Sequence, residues 1–196
     1  MQDRARDIEL AARLGVPVTG IDFTTRLIRL AQQIKEQGLI RFVRNEEGEI
    51  QSYRELHLAD FGLSDAAGNV EFWQGDVSNL PEKFAGYGLV IAENAVGGAI
   101  DPRRFLNNIH SRMNPSGILA VADAFDYDPE VTLSENRVGG FRKDGEPFSS
   151  SEGLREILLP RFEPVSELPG IWQTLPLDAN KFKLRLVHVS VWRLRG

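Results

Sequence analysis

The stretch VPVTGIDFTTRLIRLAQQI (residues 16–34) carries the pattern that decides the fold. Its first part is short and rich in β-branched residues, and it ends at Asp22. The remainder repeats apolar residues at helical spacing from Leu27 to Ile34, and Gly38 then stops it. A short strand that runs directly into an amphipathic helix is the repeating unit of an α/β sheet. The stretch therefore predicts a strand, an acid at its end and a covering helix.

Strands and helices continue to alternate along the rest of the chain. Apolar runs predict buried strands at 70–73, 88–92 and 118–122, and amphipathic runs predict helices at 4–14, 102–113 and 151–158. The run at 88–92 is apolar on both faces, which is typical of a central parallel strand. Residues 182–192 alternate as a strand that we expect to pair antiparallel with 162–168. The order predicts an α/β, Rossmann-like sheet that is mostly parallel and closes with an antiparallel strand pair.

We expect one domain over residues 1–196, because 42% of the residues are apolar and no linker interrupts the pattern. Within it, residues 40–60 predict a β-hairpin insertion with its turn at Asn45–Gly48. Residues 123–151 form a long segment rich in Asp, Gly, Pro and Ser. Loops of this length in compact domains are usually functional, so we expect this segment to act as a lid.

Composition excludes several classes of function. The formal charge is −5, from 23 Lys and Arg against 28 Asp and Glu, and the basic residues are scattered, which argues against a nucleic-acid or membrane partner. No apolar run approaches the length of a membrane span, and the charged start does not resemble a secretory signal, so we expect a cytoplasmic protein. The chain has no cysteine, and its three histidines show no ligand spacing, so we expect no metal site.

Polar residues follow three of the predicted strands. Because ligands bind at the carboxyl ends of parallel strands, Asp22 is placed to accept ribose hydroxyls of a nucleoside cofactor. Asp76 is placed to accept from an adenine amino group, with the backbone N–H of Val77 meeting a ring nitrogen. Asn94, directly after the most apolar strand, faces the crevice where a substrate would lie.

Each of these residues also has a simpler interpretation. Asp22 can cap the next helix, Asp76 can belong to an ordinary turn, and Asn94 can be mere loop polarity. NAD-dependent enzymes also carry an acid at the second strand end, so Asp22 does not distinguish the two cofactors. The antiparallel pair that closes the chain favours a methyltransferase over a nicotinamide enzyme.

Five stretches carry a family resemblance over nearly the whole chain: TGIDFTTRLIRLAQQI (19–34), EFWQGDVSNLP (71–81), DPRRFLNNIHSRMNPSGIL (101–119), TLSENRVGGFRKDGEPF (132–148) and HVSVWR (188–193). They resemble the 4-mercaptohistidine N1-methyltransferase, the methyltransferase domain of ovothiol biosynthesis. That domain also occurs fused behind a 5-histidylcysteine sulfoxide synthase. The segment SENRVGGFRKDGEP is the most specific part of the resemblance.

The resemblance implies transfer of a methyl group from S-adenosylmethionine to an imidazole nitrogen of a 5-thiohistidine. Carried over by position, Asp22 with Phe23 binds the ribose side of the cofactor, and Asp76 with Val77 binds the adenine. Asn94 lies beside the methionine moiety or the acceptor. No catalytic residue is predicted, because a neutral imidazole already presents a lone pair near pH 7.

The acceptor is expected under the 139–148 segment. There, Gly139, Gly140, Phe141 and Asp144 are predicted to cover it, an expectation that comes from the length and polarity of the segment. The expected partners are the small-molecule thiohistidine and, beside it, a sulfoxide synthase or a second copy of the chain.

One departure from the family concerns the start of the domain. The family opens with a strand and a glycine-rich loop, whereas this sequence starts at the helix that follows them. We therefore expect a sheet that lacks its first strand, next to the strand of Asp22. Two other interpretations stay open: a truncated or inactive relative that acts as an interaction module through its exposed sheet edge, or another nucleotide-binding Rossmann-like enzyme.

Overall fold

A computed structural model describes residues 6–196 of the chain, apart from the side chain of Pro169. The chain forms two compact units. The first runs up to Gly75 and includes Pro176–Lys183, and the second consists of Asp76–Leu175 and Leu184–Gly196. A single domain over residues 1–196 stays a prediction.

The first unit is built on a pair of parallel strands. Its elements are α1 (Arg6–Leu14), β1 (Val18–Asp22), α2 (Thr25–Gln37), β2 (Leu39–Glu47), β3 (Ile50–His57) and β4 (Val70–Gln74). β1 and β4 pair in parallel from Val18 opposite Val70 to Asp22 opposite Gln74. β2 and β3 form the predicted antiparallel hairpin. The core of the unit comprises Ile8, Ala11, Ile34, Leu58, Ala66, Ala67 and Val70.

The second unit contains a four-stranded sheet. Its elements are β5 (Tyr87–Glu93), α3 (Pro102–Asn108), β6 (Met113–Asp123), β7 (Phe141–Lys143), β8 (Glu146–Phe148), α4 (Ser150–Leu158), β9 (Phe162–Pro176) and β10 (Phe182–Leu194). The strand order is β5-β6-β10-β9. β5 pairs parallel with β6, and β10 pairs antiparallel with β6. The predicted α/β fold, with parallel strands and an antiparallel closing pair, is confirmed.

Local sequence signals account for where the helices of this unit begin. Asp101 caps α3 by accepting from the backbone N–H of Arg104 at 2.9 Å, and Pro102 occupies the first turn. Ser149 and Glu152 form a capping box at the start of α4. α3 ends earlier than the predicted 113, because a 3-10 turn at Ile109–Arg112 leads directly into a long β6.

The segment between β6 and α4 is packed and partly regular, with β7 and β8 forming a short hairpin. Thr132 and Val138 are fully buried, and the Thr132 hydroxyl donates to the carbonyl of Ala99 at 2.6 Å. A Cβ built on Gly153 would lie 1.7 Å from the carbonyl oxygen of Val138. The segment therefore lies against α4 through a contact that only a glycine allows.

The position of β5 differs from the central strand that its sequence predicts. It is the terminal strand of its sheet, and no strand within residues 6–196 pairs with its outer edge. On this strand, Leu89 and Ile91 are 40% and 46% exposed. None of the helices among residues 6–196 is long and apolar enough to cross a membrane.

Candidate cofactor and acceptor sites

Asp22 ends β1, at the carboxyl end of a parallel strand as predicted. Its Oδ1 accepts from the backbone N–H of Thr24 at 2.7 Å, and its carbonyl accepts from Gly75 at 3.0 Å. The first bond is a local turn that precedes α2, whose N-cap is Thr24 and not Asp22. Phe23 is 60% exposed, and its carbonyl accepts from the side chain of Gln74 at 3.3 Å. Ribose binding by either residue stays a prediction.

Asp76 lies in the second unit and begins a 3-10 turn over Val77–Asn79. One of its carboxylate oxygens accepts from the N–H of Ser78 at 2.9 Å, while the other makes no hydrogen bond within residues 6–196. The side chain of Val77 packs on the core. Its backbone N–H belongs to the first residue of the 3-10 turn, and the first N–H groups of a helical turn have no acceptor within the turn. This pair suits the edge of an adenine, which offers an amino group and a ring nitrogen.

Asn94 follows β5 in a conformation that is uncommon outside glycine, with φ of 48°. Its backbone N–H donates to Ala122 at 2.8 Å, which continues the ladder between β5 and β6. Its side-chain oxygen accepts from Nη1 of Arg185 at 3.4 Å. Asn94 therefore sits at the carboxyl end of β5 as predicted, but a residue from β10, which the sequence analysis does not single out, reaches it.

Asp123, at the end of β6, was also missed by the sequence analysis. Its side chain is fully buried, and Oδ2 accepts from the N–H groups of Val96 at 2.8 Å and Gly97 at 3.0 Å. Oδ1 accepts from Phe125 at 2.7 Å. Burial raises the pKa of the Asp123 carboxyl above its ordinary value, although the three backbone donors oppose the shift. This carboxylate fastens the loop after β5 to the loop after β6.

The predicted acceptor residues of the 139–148 segment belong to the β7–β8 hairpin. Gly140 has φ of 80° and donates to the carbonyl of Phe148 at 2.8 Å. The ring of Phe141 lies 5.6 Å from that of Phe148, and Asp144 is exposed at the turn with φ of 54°. No hydrogen bond or ring contact joins these residues to Asn94 within the described chain. Their conformations satisfy the hairpin, and an acceptor role stays a prediction.

Gly139 has a structural reason for its lack of a side chain. A Cβ at this position would lie 2.2 Å from the carbonyl oxygen of Ser149. The hydroxyl of Tyr127 donates to Ser150 at 3.0 Å, next to this approach. The segment is thereby attached to the start of α4.

The last two strands bring further polar side chains to the carboxyl ends of β5 and β6. Arg185 pairs with Asp126 at 3.1 Å, and the amide nitrogen of Gln173 donates to Glu93 at 3.1 Å. The ring of His188 lies 5.8 Å from that of Phe125. We call Glu93, Asn94, Asp126, Gln173 and Arg185 the strand-end cluster. Within residues 6–196 no group of three or more acidic or histidine side chains is arranged to hold a metal ion.

No protein-family model and no curated protein matches the chain. Solved structures do match it over nearly its full length. A structure from a study of the conversion of a disulfide bond into a thioacetal group during echinomycin biosynthesis is 13% identical, with a TM-score of 0.60, and the match covers 98% of this chain and 72% of that one. An S-adenosylmethionine-dependent methyltransferase from Methanosarcina mazei is 16% identical, with a TM-score of 0.53, and the match covers 96% and 86% of the two chains.

The chain has the methyltransferase fold. The [4+2]-cyclase SpnF shares this fold with a TM-score of 0.52 and 14% identity, over 94% of this chain and 71% of its own. A methyltransferase fold thus occurs in a protein named for a cyclisation, and identities this low carry the fold alone.

Proposed function

We propose that this chain is an S-adenosylmethionine-dependent methyltransferase. The observation that carries the proposal is the placement of polar side chains at strand ends in a methyltransferase fold: Asp22 after β1, Asp76 after β4 and Asn94 after β5. Ligands of parallel α/β sheets bind at these ends. A nicotinamide enzyme is less well supported, because the structures that match include methyltransferases.

Taken one by one, these residues offer the hydrogen-bonding groups that the parts of such a cofactor need. The unengaged oxygen of Asp76 would accept from the adenine amino group, with the Val77 N–H on a ring nitrogen. The Asp22 carboxylate would accept from ribose hydroxyls, and Asn94 would contact the methionine moiety or the acceptor. When bound, the cofactor supplies an electrophilic methyl group on a sulfonium.

We propose an imidazole nitrogen of a 5-thiohistidine as the methyl acceptor. The support is the resemblance of the 132–148 stretch to the ovothiol methyltransferases, because the segment SENRVGGFRKDGEP within it is the most specific part of that resemblance. A neutral imidazole has the required lone pair, so the protein needs to hold and align it and no general base is assigned. Alignment of this kind can supply about 7–11 kcal/mol of the barrier.

Calorimetry with S-adenosylhomocysteine tests the cofactor part of the proposal. We expect micromolar binding by the wild-type chain, weakened by Asp22→Asn and by Asp76→Asn. Asp60→Asn, an exposed acid of the first unit, is the matched control and should bind as the wild type does. Absence of heat at millimolar ligand, with the chain folded, would contradict the proposal.

Mass spectrometry tests the acceptor part. The chain is incubated with S-adenosylmethionine and either 5-thiohistidine or histidine, and we expect a gain of one methyl group on the thiohistidine alone. Binding of S-adenosylhomocysteine without this gain would retain the cofactor and reject the acceptor.

A second candidate function is that of an interaction module. The observation that favours it is the apolar outer edge of β5, where Leu89 and Ile91 are exposed, because such an edge can pair with a strand of another chain. Sedimentation analysis would then show self-association that Ile91→Lys abolishes, in a chain that binds no S-adenosylhomocysteine. A sulfoxide synthase is a second proposed partner for this edge.

A further inference from the structure

The two closing strands both reach the residue pair at the end of β5. From β9, the amide nitrogen of Gln173 donates to the carboxylate of Glu93 at 3.1 Å. From β10, Nη1 of Arg185 donates to the side-chain oxygen of Asn94 at 3.4 Å, and Nη2 pairs with Asp126 at 3.1 Å. The strand-end cluster therefore combines side chains from four separate places in the chain.

Two buried atoms of this cluster have no hydrogen-bond partner in the described structure. They are Nε of Arg185 and Oε1 of Gln173. Buried polar groups in native proteins nearly always have a hydrogen-bond partner, so two such atoms without a partner in one cluster need an explanation. Their requirements are opposite, because Nε of arginine only donates and Oε1 of glutamine only accepts. A ligand that satisfies both must present an acceptor to one and a donor to the other.

The charges around these atoms narrow the chemistry of that ligand. Arg185 supplies a permanent cation with a planar set of donors that matches a carboxylate. Glu93 and Asp126 supply two acids against this one cation, and Asp126 pairs with Arg185, so the negative charge of Glu93 favours a cationic group nearby. An ammonium and a carboxylate on one small molecule describe the α-amino-acid group.

We propose that the strand-end cluster binds the α-amino-acid end of the methyl acceptor, a deepening that rests on the proposed function. Arg185 binds the carboxylate of the acceptor, and Oε1 of Gln173 with the carboxylate of Glu93 binds its ammonium. Asn94 and Asp126 position the guanidinium through the contacts that they already make with it. The Arg185 side chain is 23% exposed and that of Asp126 is 51% exposed, so the cluster borders solvent.

The cluster also has a consequence for specificity. Contacts to the amino-acid end orient the acceptor but leave its side chain free to reach the methyl donor. The subsite should therefore select amino acids over the corresponding amines, independently of the substituents on the imidazole ring of the acceptor. Sequence reasoning did not find it, because Gln173 and Arg185 lie 80 and 91 positions from their partners.

The experiment is calorimetry on the full chain saturated with S-adenosylhomocysteine, with two probes. One is 5-thiohistidine and the other is its decarboxylated analogue, 5-thiohistamine. We expect the wild type to bind thiohistidine about 10- to 100-fold more tightly than the amine, from a charged pair with Arg185. Arg185→Gln should remove that preference and leave the affinity for thiohistamine unchanged, and Arg185→Lys should restore part of it.

Arg193→Gln is the matched control. Arg193 lies on the same strand and pairs with Glu163 at 3.1 Å, with both side chains nearly half exposed, so the variant should keep the full preference. Thermal unfolding of each variant shows whether it folds, and Arg185→Lys carries the test if Arg185→Gln does not.

Equal affinity of the wild type for the two probes would overturn the subsite, and so would an unchanged preference in Arg185→Gln. The failure of the proposed function looks different. A chain that binds no S-adenosylhomocysteine refutes the methyltransferase before any probe is added. A chain that binds it but binds neither probe refutes both the thiohistidine acceptor and the subsite.

Discussion

Two aspartates that end parallel strands have very different surroundings. Asp22, at the end of β1, accepts from Thr24 two residues further on, and that bond is exposed. Asp123, at the end of β6, is fully buried and accepts from Val96, Gly97 and Phe125. The sequence analysis selected Asp22 and passed over Asp123. Burial is the property that separates the two, and we infer that it assigns Asp22 to ligand binding and Asp123 to architecture.

The comparison predicts a structural role for the aspartate at one strand end and a ligand-binding role for the aspartate at the other. A carboxylate that meets several backbone donors from separate loops holds those loops in one arrangement. The Asp22 carboxylate makes an exposed bond to Thr24 at the carboxyl end of a parallel strand, which is where ligands of such sheets bind. On this basis, substitution of Asp123 should reduce stability, and substitution of Asp22 should reduce affinity for the cofactor.

The largest effect is expected for Asp123→Ala. The substitution leaves three backbone N–H groups without their acceptor, and each unpaired buried donor costs about 1–3 kcal/mol. We expect the free energy of unfolding to fall by at least about 3 kcal/mol in chemical denaturation, against less than about 1 kcal/mol for Asp22→Ala. Equal losses in the two variants would remove the distinction.

A reciprocal effect is expected on cofactor binding. Asp22→Ala should weaken S-adenosylhomocysteine about 10- to 100-fold in calorimetry, because a charged hydrogen bond contributes about 1.5–3 kcal/mol. The melting temperature of the free chain serves as the control and should change little. Unaltered affinity would argue against a ribose contact by Asp22.

A smaller effect is expected for Asp76→Asn. The substituted side chain has one oxygen where Asp76 has two, so it can accept from Ser78 or from the adenine amino group but not from both in this geometry. Because the bond that remains is neutral, and about 1 kcal/mol weaker than a charged one, we expect at least about fivefold weaker binding of S-adenosylhomocysteine. The same titration with Asp76→Ala should show a larger loss, and equal affinities of the two variants would argue against an adenine contact.

The smallest effect concerns pH. Burial raises the pKa of Asp123 above the unfolded value of 3.8. The part of the unfolding free energy that depends on protonation of this carboxyl is therefore fully stabilising below pH 3.8, and it declines as the pH rises through the raised folded pKa. The difference in unfolding free energy between wild type and Asp123→Asn should therefore move in favour of the variant from about pH 4 upward. Asp144→Asn, at an exposed turn, provides the comparison. A difference that does not depend on pH would contradict the shift.

Local patterns were sufficient for most of the fold. The strand and helix over residues 16–34, the capping of α3 by Asp101 and the closing strand pair all follow from spacing and from neighbours a few residues apart. The packing of the segment before α4 was not predictable, because it depends on a close approach between Val138 and Gly153 that no periodicity reveals. The terminal place of β5 was not predictable either, because an apolar run does not show which strands pair with it in the sheet.

The amino-acid sequence by itself determined the elements, their order and the acids that follow β1 and β4. Those features depend on contacts within a few residues, such as Asp22 with Thr24 and Asp76 with Ser78. Only the tertiary structure decided which polar groups are buried and which lie together. Asp123 meets Val96 across 27 positions, and Arg185 meets Asn94 across 91, because chain folding and not local spacing sets such distances.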